Sequence, residues 1–391
     1  MGMKWFALGA MLALMALGFL ACSSTSSTVT SSGTGVLYLV TPLDTTLSTY
    51  TIALGSGNLT QVGTSLTTSN SPTAMALTPS LNALFVANSS ANNVSAFSLN
   101  SDGSLGAASG NSGVGTNPMG LAIDPAGKFL FVANEVSSSI SVFAISGTSL
   151  KQVSGSPFTT IPAGTTVGTD PVALVVSATG RFLYVANQSA NTVTAFSIAT
   201  SGALTPLGQP PYAAGLSPAG VRITPSGAFL YVANSGSNNV SAFAICDKVL
   251  TTCTTPNSPD GTLTAVAGSP FSAGIAPVAV AADPSFNFVY VLNKGSNQVS
   301  QYSLASGTGA LTPLSPGAVS AGTTPTSFVV VSGTTGTALG NTLTNPTDYI
   351  YVANSGSSTL SVFSLNTTTG LLVPVGSAVT VSGNPSIVAA N

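Results

Sequence analysis

The stretch Phe182–Ile198 reads FLYVANQSANTVTAFSI and decides the fold. It contains an apolar strand that ends in Val-Ala-Asn, a short Ser/Asn loop and a second strand, which is the pattern of a β-hairpin. The same pattern occurs six more times, at Leu37–Ile52, Leu84–Leu99, Leu130–Ile145, Leu230–Ile245, Val289–Leu304 and Ile350–Leu365. The chain therefore contains seven copies of one hairpin, of which the first is the least regular.

The spacing of these copies sets the size of the repeating unit. The first strand of each hairpin closes with Thr41, Asn88, Asn134, Asn187, Asn234, Asn293 and Asn354. The spacing runs from 46 residues (Asn88 to Asn134) to 61 residues (Asn293 to Asn354), and we attribute the longer intervals to loop insertions. A unit of this length holds about four short strands, as a propeller blade does. The sequence therefore predicts an all-β, seven-bladed β-propeller with four-stranded antiparallel blades.

One complete unit shows the four strands. Apolar runs at Pro171–Ser177, Phe182–Ala186 and Val193–Ile198 are separated by Gly- and Asn-containing turns, and a more polar strand begins at Leu204. Neither face of Val193–Ile198 is fully polar, as expected for a sheet that is covered on both sides by neighbouring sheets. The chain after the N-terminal apolar run has no apolar 3.6-residue period, so we expect no amphipathic helix there.

The two ends of the chain predict how the ring closes. The C-terminal segment Asn384–Asn391, NPSIVAAN, matches the first strand of a unit, such as NPMGLAID at Asn117–Asp124. The folded part begins instead with a second strand, VLYLV at Val36–Val40. We therefore expect the C-terminal strand to complete the first blade, which leaves no open blade between the termini. The propeller is expected to span residues 36–391.

The N-terminus has the layout of an exported protein. Residues 1–21 carry Lys4 and an apolar run from Trp5 to Leu20, which is typical of a signal peptide and short for a membrane span. The junction before Cys22 resembles a bacterial lipoprotein signal, in which this cysteine carries the lipid. Phe19 and Leu20 depart from the usual residues of that signal, so a secreted protein with a free Cys22 stays an alternative.

Residues 22–35 are rich in Ser, Thr and Gly and are expected to form a flexible tether. The resulting interpretation is an extracytoplasmic protein that is lipid-anchored to the bacterial cell envelope, in the periplasm or at the outer membrane surface.

The amino-acid composition limits the kinds of molecule that the protein is expected to bind. Charged residues make up 4% of the chain, there is no histidine, and the net charge is -2. Nucleic-acid binding is excluded because phosphate neutralisation needs clustered Lys and Arg. We expect a monomer that contacts the membrane through its N-terminal lipid and binds an envelope protein or glycan.

Cys246 and Cys253 flank the sequence DKVLTT within a long insertion. An oxidising compartment and this short separation predict a disulfide, which would contribute roughly 2–3 kcal/mol by restricting the unfolded chain. Two buried thiols are the alternative. Two cysteines without histidine make a poor metal-ligand set, so no metal or other cofactor is expected.

Three segments of the unit resemble a known family. They are FLYVAN at Phe182–Asn187, NTVTAFSI at Asn191–Ile198 and GALTP at Gly202–Pro206, and GALTP recurs at Gly309–Pro313. These segments resemble the lactonase family of seven-bladed propellers, which includes the propeller type of 6-phosphogluconolactonase, and the similar YVTN repeats of surface proteins. The matching residues are strand and turn residues, so the resemblance is specific for the fold and leaves the activity open.

Lactone hydrolysis, which the resemblance implies, needs a base and a group that stabilises the developing oxyanion. Arg222 lies inside a predicted first strand where the other units have Ala or Val, and it would have to reach the channel or a buried partner. Asp124, Asp283 and Glu135 are the carboxylates considered as the base. Asp124 and Asp283 also fit a role as turn formers, and Glu135 also fits an exposed loop residue.

Two functions remain open. The first is a non-catalytic, surface-displayed propeller that binds a partner through its rim loops. The second is a lactonase that acts on an uncharged lactone in the central channel, with Arg222 polarising the carbonyl. A redox-cofactor propeller would need more cations or metal ligands than this chain has. Convergence of Arg222 and a carboxylate on one pocket would favour the lactonase.

Some repeated residues are interpreted as structural. The strand-ending asparagines and the loop asparagines Asn191, Asn238 and Asn297 are expected to bond to backbone across a tight loop. Lys128 and Arg181 share one turn position in successive units and are expected to be exposed turn residues.

Overall fold

The computed structural model describes residues 34–162, 164, 168–250, 253, 260–285, 287–332 and 348–390, and at 208–210 it describes the backbone alone. The predicted signal peptide, Cys22 and nearly all of the tether lie outside the described residues. The described residues form seven separate antiparallel sheets, which are the seven blades of a β-propeller. The predicted fold class is confirmed.

The strands of blades 1 to 3 alternate with short turns. In chain order they are β1 (Thr34–Thr41), β2 (Thr46–Ala53), β3 (Asn58–Thr67), β4 (Pro72–Leu77), β5 (Ala83–Asn88), β6 (Asn93–Leu99), β7 (Leu105–Gly113), β8 (Pro118–Ile123), β9 (Phe129–Asn134), β10 (Ser139–Ser146), β11 (Ser149–Gln152) and β12 (Phe158–Thr159).

Blades 4 to 7 continue the same order. Their strands are β13 (Pro171–Val176), β14 (Phe182–Asn187), β15 (Thr192–Ile198), β16 (Leu204–Ala213), β17 (Pro218–Ile223), β18 (Phe229–Asn234), β19 (Asn239–Ile245), β20 (Leu263–Ala265), β21 (Phe271–Ser272), β22 (Pro277–Ala282), β23 (Phe288–Asn293), β24 (Gln298–Leu304), β25 (Leu311–Ser320), β26 (Pro325–Val331), β27 (Asp348–Asn354), β28 (Thr359–Leu365), β29 (Leu372–Pro374) and β30 (Val379–Thr380). The last strand, β31 (Ile387–Ala390), belongs to blade 1.

Each blade has four strands, as predicted, with one variation. In blades 3, 5 and 7 the fourth strand is split into two short strands that both pair with the third strand. Ring closure also follows the prediction, because β31 pairs antiparallel with β1 from Leu37–Ala390 to Val40–Ile387. The first strand begins at Thr34, two residues before the expected start at Val36.

The first strands of neighbouring blades pack against one another around the axis. The Thr73 hydroxyl donates to the Pro118 carbonyl of the next blade at 2.7 Å. A Cβ atom at Gly120 would lie 2.8 Å from the Val172 carbonyl, so the close approach of these two strands requires glycine there. First strands therefore surround the central channel, and fourth strands form the outer rim.

This arrangement gives the disc two faces. The turn face carries the turns between first and second strands and between third and fourth strands, for example 78–82 and 100–104. The Asn face carries the loops between second and third strands, for example 89–92, and the connectors between blades, for example 114–117. The described chain enters β1 from the turn face, because β1 is the second strand of its blade.

Neighbouring blades are joined by a repeated hydrogen bond on the turn face. At five of the seven interfaces a buried second-strand tyrosine donates to the carbonyl of a glycine in the next blade's turn between third and fourth strands. The pairs are Tyr38–Gly103, Tyr184–Gly261, Tyr231–Gly309, Tyr290–Gly370 and Tyr351–Gly57, at 2.7–3.0 Å. Phe85 and Phe131 occupy the same position at the other two interfaces. Burial raises the pKa of each of these tyrosines well above its ordinary value, so each hydroxyl keeps its proton and remains a donor.

The insertion of blade 5 is closed by the predicted disulfide between Cys246 and Cys253. It is also anchored to blade 4 through Arg181, so the interpretation of Arg181 as a merely exposed turn residue is wrong. Its guanidinium pairs with Asp247 at 3.0 Å and with Asp260, and it lies over the Phe182 ring. The Thr179 hydroxyl also donates to Asp247, at 2.6 Å. Sequence spacing could not reveal these two ion pairs because Asp247 and Asp260 lie 66 and 79 residues after Arg181.

Replacing Tyr351 with Phe should lower the free energy of unfolding by about 1–2 kcal/mol, because the buried Gly57 carbonyl loses its donor. The ring should still fit, since phenylalanine occupies this position in two blades. Denaturant unfolding measures the loss, and Tyr184→Phe provides the same change at an interior interface. Unchanged stability in both variants would show that the hydrogen bond contributes nothing net.

Replacing Arg181 with Ala should cost about 1–3 kcal/mol, since the Asp247 carboxylate, only 1% exposed, loses an ionic partner. Lys128→Ala is the matched control, because Lys128 has the same turn position in blade 3 and is exposed. The control should stay within about 0.5 kcal/mol of the original protein. Equal unfolding midpoints for the two variants would contradict the anchoring role of Arg181.

Candidate functional site

Most non-glycine residues with a left-handed backbone conformation lie on the Asn face. Among the described residues, 14 non-glycine residues have positive φ, and all but Leu81 lie on this face. Seven are in the loops between second and third strands, at Thr45, Asn92, Ser138, Asn191, Asn238, Asn297 and Ser358. Six are in the connectors, at Ser71, Asn117, Asp170, Ser217, Ala276 and Thr324. Left-handed backbone costs about 1 kcal/mol or more per residue, so each must be supported by its surroundings.

The loop asparagines supply part of that support. The Oδ1 atoms of Asn191, Asn238 and Asn297 accept the backbone amides of Ser217, Ala276 and Thr324 at 2.7–2.8 Å. Asn92 accepts the Asn117 amide in the same way, at 2.8 Å. These asparagines therefore bond to backbone as predicted, but across to the connector that enters the next blade.

The strand-ending asparagines differ from the expectation. Their Nδ2 atoms donate mainly to a hydroxyl seven residues later in the third strand, at 2.8–3.0 Å. The pairs are Asn88–Ser95, Asn134–Ser141, Asn187–Thr194, Asn234–Ser241, Asn293–Ser300 and Asn354–Ser361. A Ser or Thr seven residues after each asparagine was the signal in the sequence. These residues hold the hairpins together, in agreement with their interpretation as scaffold.

The mouth of the channel on this face is surrounded by the residues that precede each first strand. We define the mouth ring as Ser71, Asn117, Asp170, Ser217, Ala276, Thr324 and Asn384. Each directly precedes a proline that begins a blade's first strand or, in blade 1, lies just before it. Apart from Ala276, every member offers a hydroxyl, an amide or a carboxylate, so the mouth ring is polar and carries a single charge.

Two carboxylates lie together at this mouth. Glu135, in the loop of blade 3, accepts a hydrogen bond from the Asn117 amide group, and Asp170 accepts one from the Ser189 hydroxyl. Burial, followed by the negative charge of Asp170, raises the pKa of Glu135 above its ordinary value, although the Asn117 hydrogen bond opposes the shift. A carboxylate with a raised pKa can act as an acid or a base closer to neutral pH. Glu135 was predictable from the sequence but Asp170 was not, because only the packing of blade 4 beside blade 3 brings the two carboxylates close.

Exposed aliphatic side chains are also concentrated on the Asn face. Among the described residues, six large apolar side chains are strongly exposed, and four of them lie here: Leu43 (74%), Val136 (65%), Leu216 (57%) and Ile275 (59%). Leu216 and Ile275 are in the successive connectors that enter blades 5 and 6. Val249 and Val373 are the two located elsewhere. The Asn face thus carries more exposed apolar side chains than the turn face, and an exposed apolar patch is typical of an interaction surface.

Arg222 lies in β17 opposite Tyr231 of the neighbouring strand and is half-buried. The equivalent residues are buried Ala or Val, at Ala76, Ala122, Val175, Ala281, Val329 and Ala389. Val175 at this position packs against Ile223 and Leu230 of the next blade, so the position points toward an interface between blades. Arg222 is the last residue but one of β17, so its backbone lies near the turn face.

Asp124 and Asp283 lie in the turns between first and second strands. Asp124 accepts the amides of Ala126, Lys128 and Phe129 at 2.5–3.2 Å. Asp283 accepts the amides of residues 285, 287 and 288 at 2.7–3.1 Å and the Ser285 hydroxyl. Thr78 and Ser177 fill the same position in other blades with hydroxyl acceptors. These contacts are those of turn residues, and they occupy both carboxylates.

The four residues considered as catalytic are thus divided between the two faces of the disc. Asp124, Asp283 and Arg222 lie near the turn face in blades 3, 6 and 5, whereas Glu135 lies on the Asn face of blade 3.

Within the described ranges no three His, Cys, Asp or Glu side chains come together as a metal site. No helix long and apolar enough to cross a membrane occurs in the part of the chain that the structure describes.

Comparison with known proteins identifies the family. A family profile described as "Lactonase, 7-bladed beta-propeller" matches residues 8–119 and 108–258, which together exceed half of the 391-residue chain. A comparison with curated proteins gives no match.

Solved structures agree on the fold. A candidate 6-phosphogluconolactonase from Bacteroides fragilis aligns with a TM-score of 0.72 at 18% identity, covering 94% of this chain and 100% of that one. The periplasmic gluconolactonase PpgL of Pseudomonas aeruginosa aligns with a TM-score of 0.70 at 20% identity, covering 91% and 99%. A protein of unknown function from Desulfotomaculum acetoxidans aligns at 0.63 and 16% identity, covering 91% and 98%. At these identities the likeness establishes the fold alone.

Replacing Glu135 with Gln should stabilise the protein at pH 7. The folded-state pKa of Glu135 is raised, so its contribution to stability is greatest below the ordinary carboxyl pKa of about 4.3 and is lost as the pH rises through the folded value. The variant should therefore melt at a higher temperature at pH 7 and match the original protein at low pH. Asp170→Asn should give a smaller change of the same sign. A difference independent of pH would contradict the coupling.

Proposed function

The chain belongs to the seven-bladed β-propeller lactonase family, and from this premise we propose that it is a lipid-tethered binding propeller of the cell envelope. The Asn face holds the partner. The observation that carries the proposal is the concentration of exposed aliphatic side chains there, with Leu216 and Ile275 on neighbouring connectors.

The direction of the chain supports this choice of face. The described chain enters β1 from the turn face, so a tether joined to residue 34 leaves the disc on that side. Attachment through Cys22 would then direct the Asn face away from the anchoring membrane. The channel mouth and the exposed aliphatic side chains would face the surrounding envelope.

The charge of the Asn face defines the kind of partner. Its charged residues among those described are Asp44, Glu135, Asp170 and Lys294. A face with so few charges gives little electrostatic steering, so the partner is an uncharged envelope protein surface or glycan that associates through apolar and hydroxyl contacts. The rigid loops, held by the asparagine hydrogen bonds, reduce the entropy lost on binding.

Lactone hydrolysis at the same mouth is the second candidate. It is favoured by the carboxylates of Glu135 and Asp170, one of which has a raised pKa, and by the activity of relatives such as the periplasmic gluconolactonase. Glu135 would act as general base toward water, and the amides of the mouth ring would orient an uncharged lactone. This assignment places the chemistry on the Asn face instead of beside Arg222.

The proposal is tested by binding of the purified protein to the envelope fraction of its own bacterium. A variant with Leu216→Ser and Ile275→Ser should bind at least about tenfold more weakly, because two exposed apolar anchors are lost. The matched control carries Val249→Ser and Val373→Ser, which removes equally exposed apolar side chains elsewhere, and should bind normally. Equal binding by both variants would overturn the assignment of the Asn face.

The same preparations separate the second candidate. Turnover of a panel of neutral sugar lactones that is lost in Glu135→Gln but kept in Arg222→Ala would establish hydrolysis at the mouth. Turnover lost only in Arg222→Ala would instead place the reaction near the turn face. No turnover, together with loss of envelope binding in the Leu216 and Ile275 variant, would leave the binding function alone.

A further inference from the structure

The outer edges of the seven blades are not equally protected. Every fourth strand of blades 3 to 7 contains a proline or is interrupted beside one, at Pro157, Pro206, Pro270, Pro313 and Pro374. The fourth strands of blades 1 and 2, β3 and β7, contain neither proline nor a charged residue. Proline and charge are the usual means by which proteins prevent an edge strand from pairing with another chain.

The position of the prolines shows which backbone groups point outward. Pro206, Pro313 and Pro374 lie opposite Phe196, Tyr302 and Phe363 of the third strand. Proline has no N–H to donate, so it is tolerated only where the backbone N–H is not needed by the third strand. The N–H at this position of the fourth strand therefore points outward in the other blades. In blade 1 the same position, opposite Tyr50, is Gln61. The N–H of Gln61 therefore points away from the blade, as do the outward groups of Leu59 two residues earlier.

Of the two unprotected edges, β3 is the better pairing edge. Its register with β2 is regular from Asn58 to Val62 and shifts only beyond that stretch. The register of β7 with its neighbour shifts twice, and such irregularities twist an edge away from further pairing. Among the described residues, β3 ends its sheet, with no strand on its outer side.

We propose that β3 pairs antiparallel with β3 of a second copy of this chain, centred on Thr60. This register places Leu59 of each copy opposite Gln61 of the other, so the outward groups of both residues exchange backbone hydrogen bonds. Thr60 then faces its own counterpart as a non-hydrogen-bonded pair, with Cα atoms about 4.5 Å apart. The inference applies to copies that are not anchored in the same membrane, and it would replace the monomer expected from the sequence.

A second copy fits this edge because the strand is complementary to itself. The stretch NLTQV carries no charge, so a two-fold pair brings no like charges together, and the chain's net charge of -2 gives little repulsion between copies. One strand pair buries a small area, and interfaces below about 1,200 Å² are weak and transient. The dimer is therefore a weak, concentration-dependent one.

Antiparallel pairing places the Asn face of one copy beside the turn face of the other. Residue 34 of the two copies then lies on opposite sides of the pair, so anchoring both copies in one membrane would disfavour it. The unlipidated full chain with Cys22→Ser is therefore the form to test, and it also leaves no free cysteine beside the Cys246–Cys253 disulfide.

The test is disulfide cross-linking at the centre of the predicted pair. In the Cys22→Ser chain, Thr60→Cys should form a covalent dimer under mild oxidation, because Cα atoms of such a pair lie within disulfide range. Thr205→Cys is the matched control, since Thr205 is the equivalent exposed residue of blade 4, next to Pro206. The control should remain monomeric on a non-reducing gel.

Adding Gln61→Pro to the Thr60→Cys variant should suppress the cross-link. In the chain that keeps Thr60, Gln61→Pro should weaken dimerisation at least about tenfold, as measured by sedimentation. The substitution should fold, because three other blades have proline at this register; its melting temperature verifies this. Equal cross-linking at Thr60 and Thr205, no cross-linking at Thr60, or a dimer unaffected by Gln61→Pro would each overturn the proposal.

Discussion

The tyrosine–glycine hydrogen bond is the most regular constraint between blades, and it joins five of the seven interfaces of the ring. The glycine that accepts it has positive φ at every one of these turns, from 72° to 83°, which only glycine adopts without strain. In all five turns an added Cβ would come within 2.6 Å of the side chain two residues before the donating tyrosine. Each blade thus presents a bare turn to the preceding blade, and Tyr351 closes the circle onto Gly57, 294 residues earlier.

The parts of this fold that could be predicted from sequence are those that repeat. Seven similar hairpins leave few arrangements that bury both faces of every sheet. The C-terminal strand matches the first strand of a unit but has no second strand after it, so it could only complete blade 1. The contacts between blades were not predictable in the same way. Arg181 and Asp247 belong to different units, and only the stacking of blade 4 on blade 5 brings them together.

The candidate site was predictable only in part for a related physical reason. A strand pattern places Arg222 near the end of a first strand but does not reveal which interface the position faces. The sequence indicated that Asp124 could be either a base or a turn former. The three backbone amides that donate to its carboxylate match the role of a turn former. Asp170 was missed because the equivalent residue before the first-strand proline is uncharged in every other blade, although its charge contributes to the raised pKa of Glu135.

The surfaces available for function are those that the interblade contacts leave free. The turn face is committed to the tyrosine hydrogen bonds, where a change disturbs two blades at once, and to carboxylates that accept amides within their own turns. The Asn face is held by asparagine side chains bonded to the backbone of the connectors, and this leaves the connector side chains at Thr116, Leu216 and Ile275 free to differ. Because the scaffold is satisfied by backbone and by repeated residues, these differing side chains can serve recognition at little cost to stability.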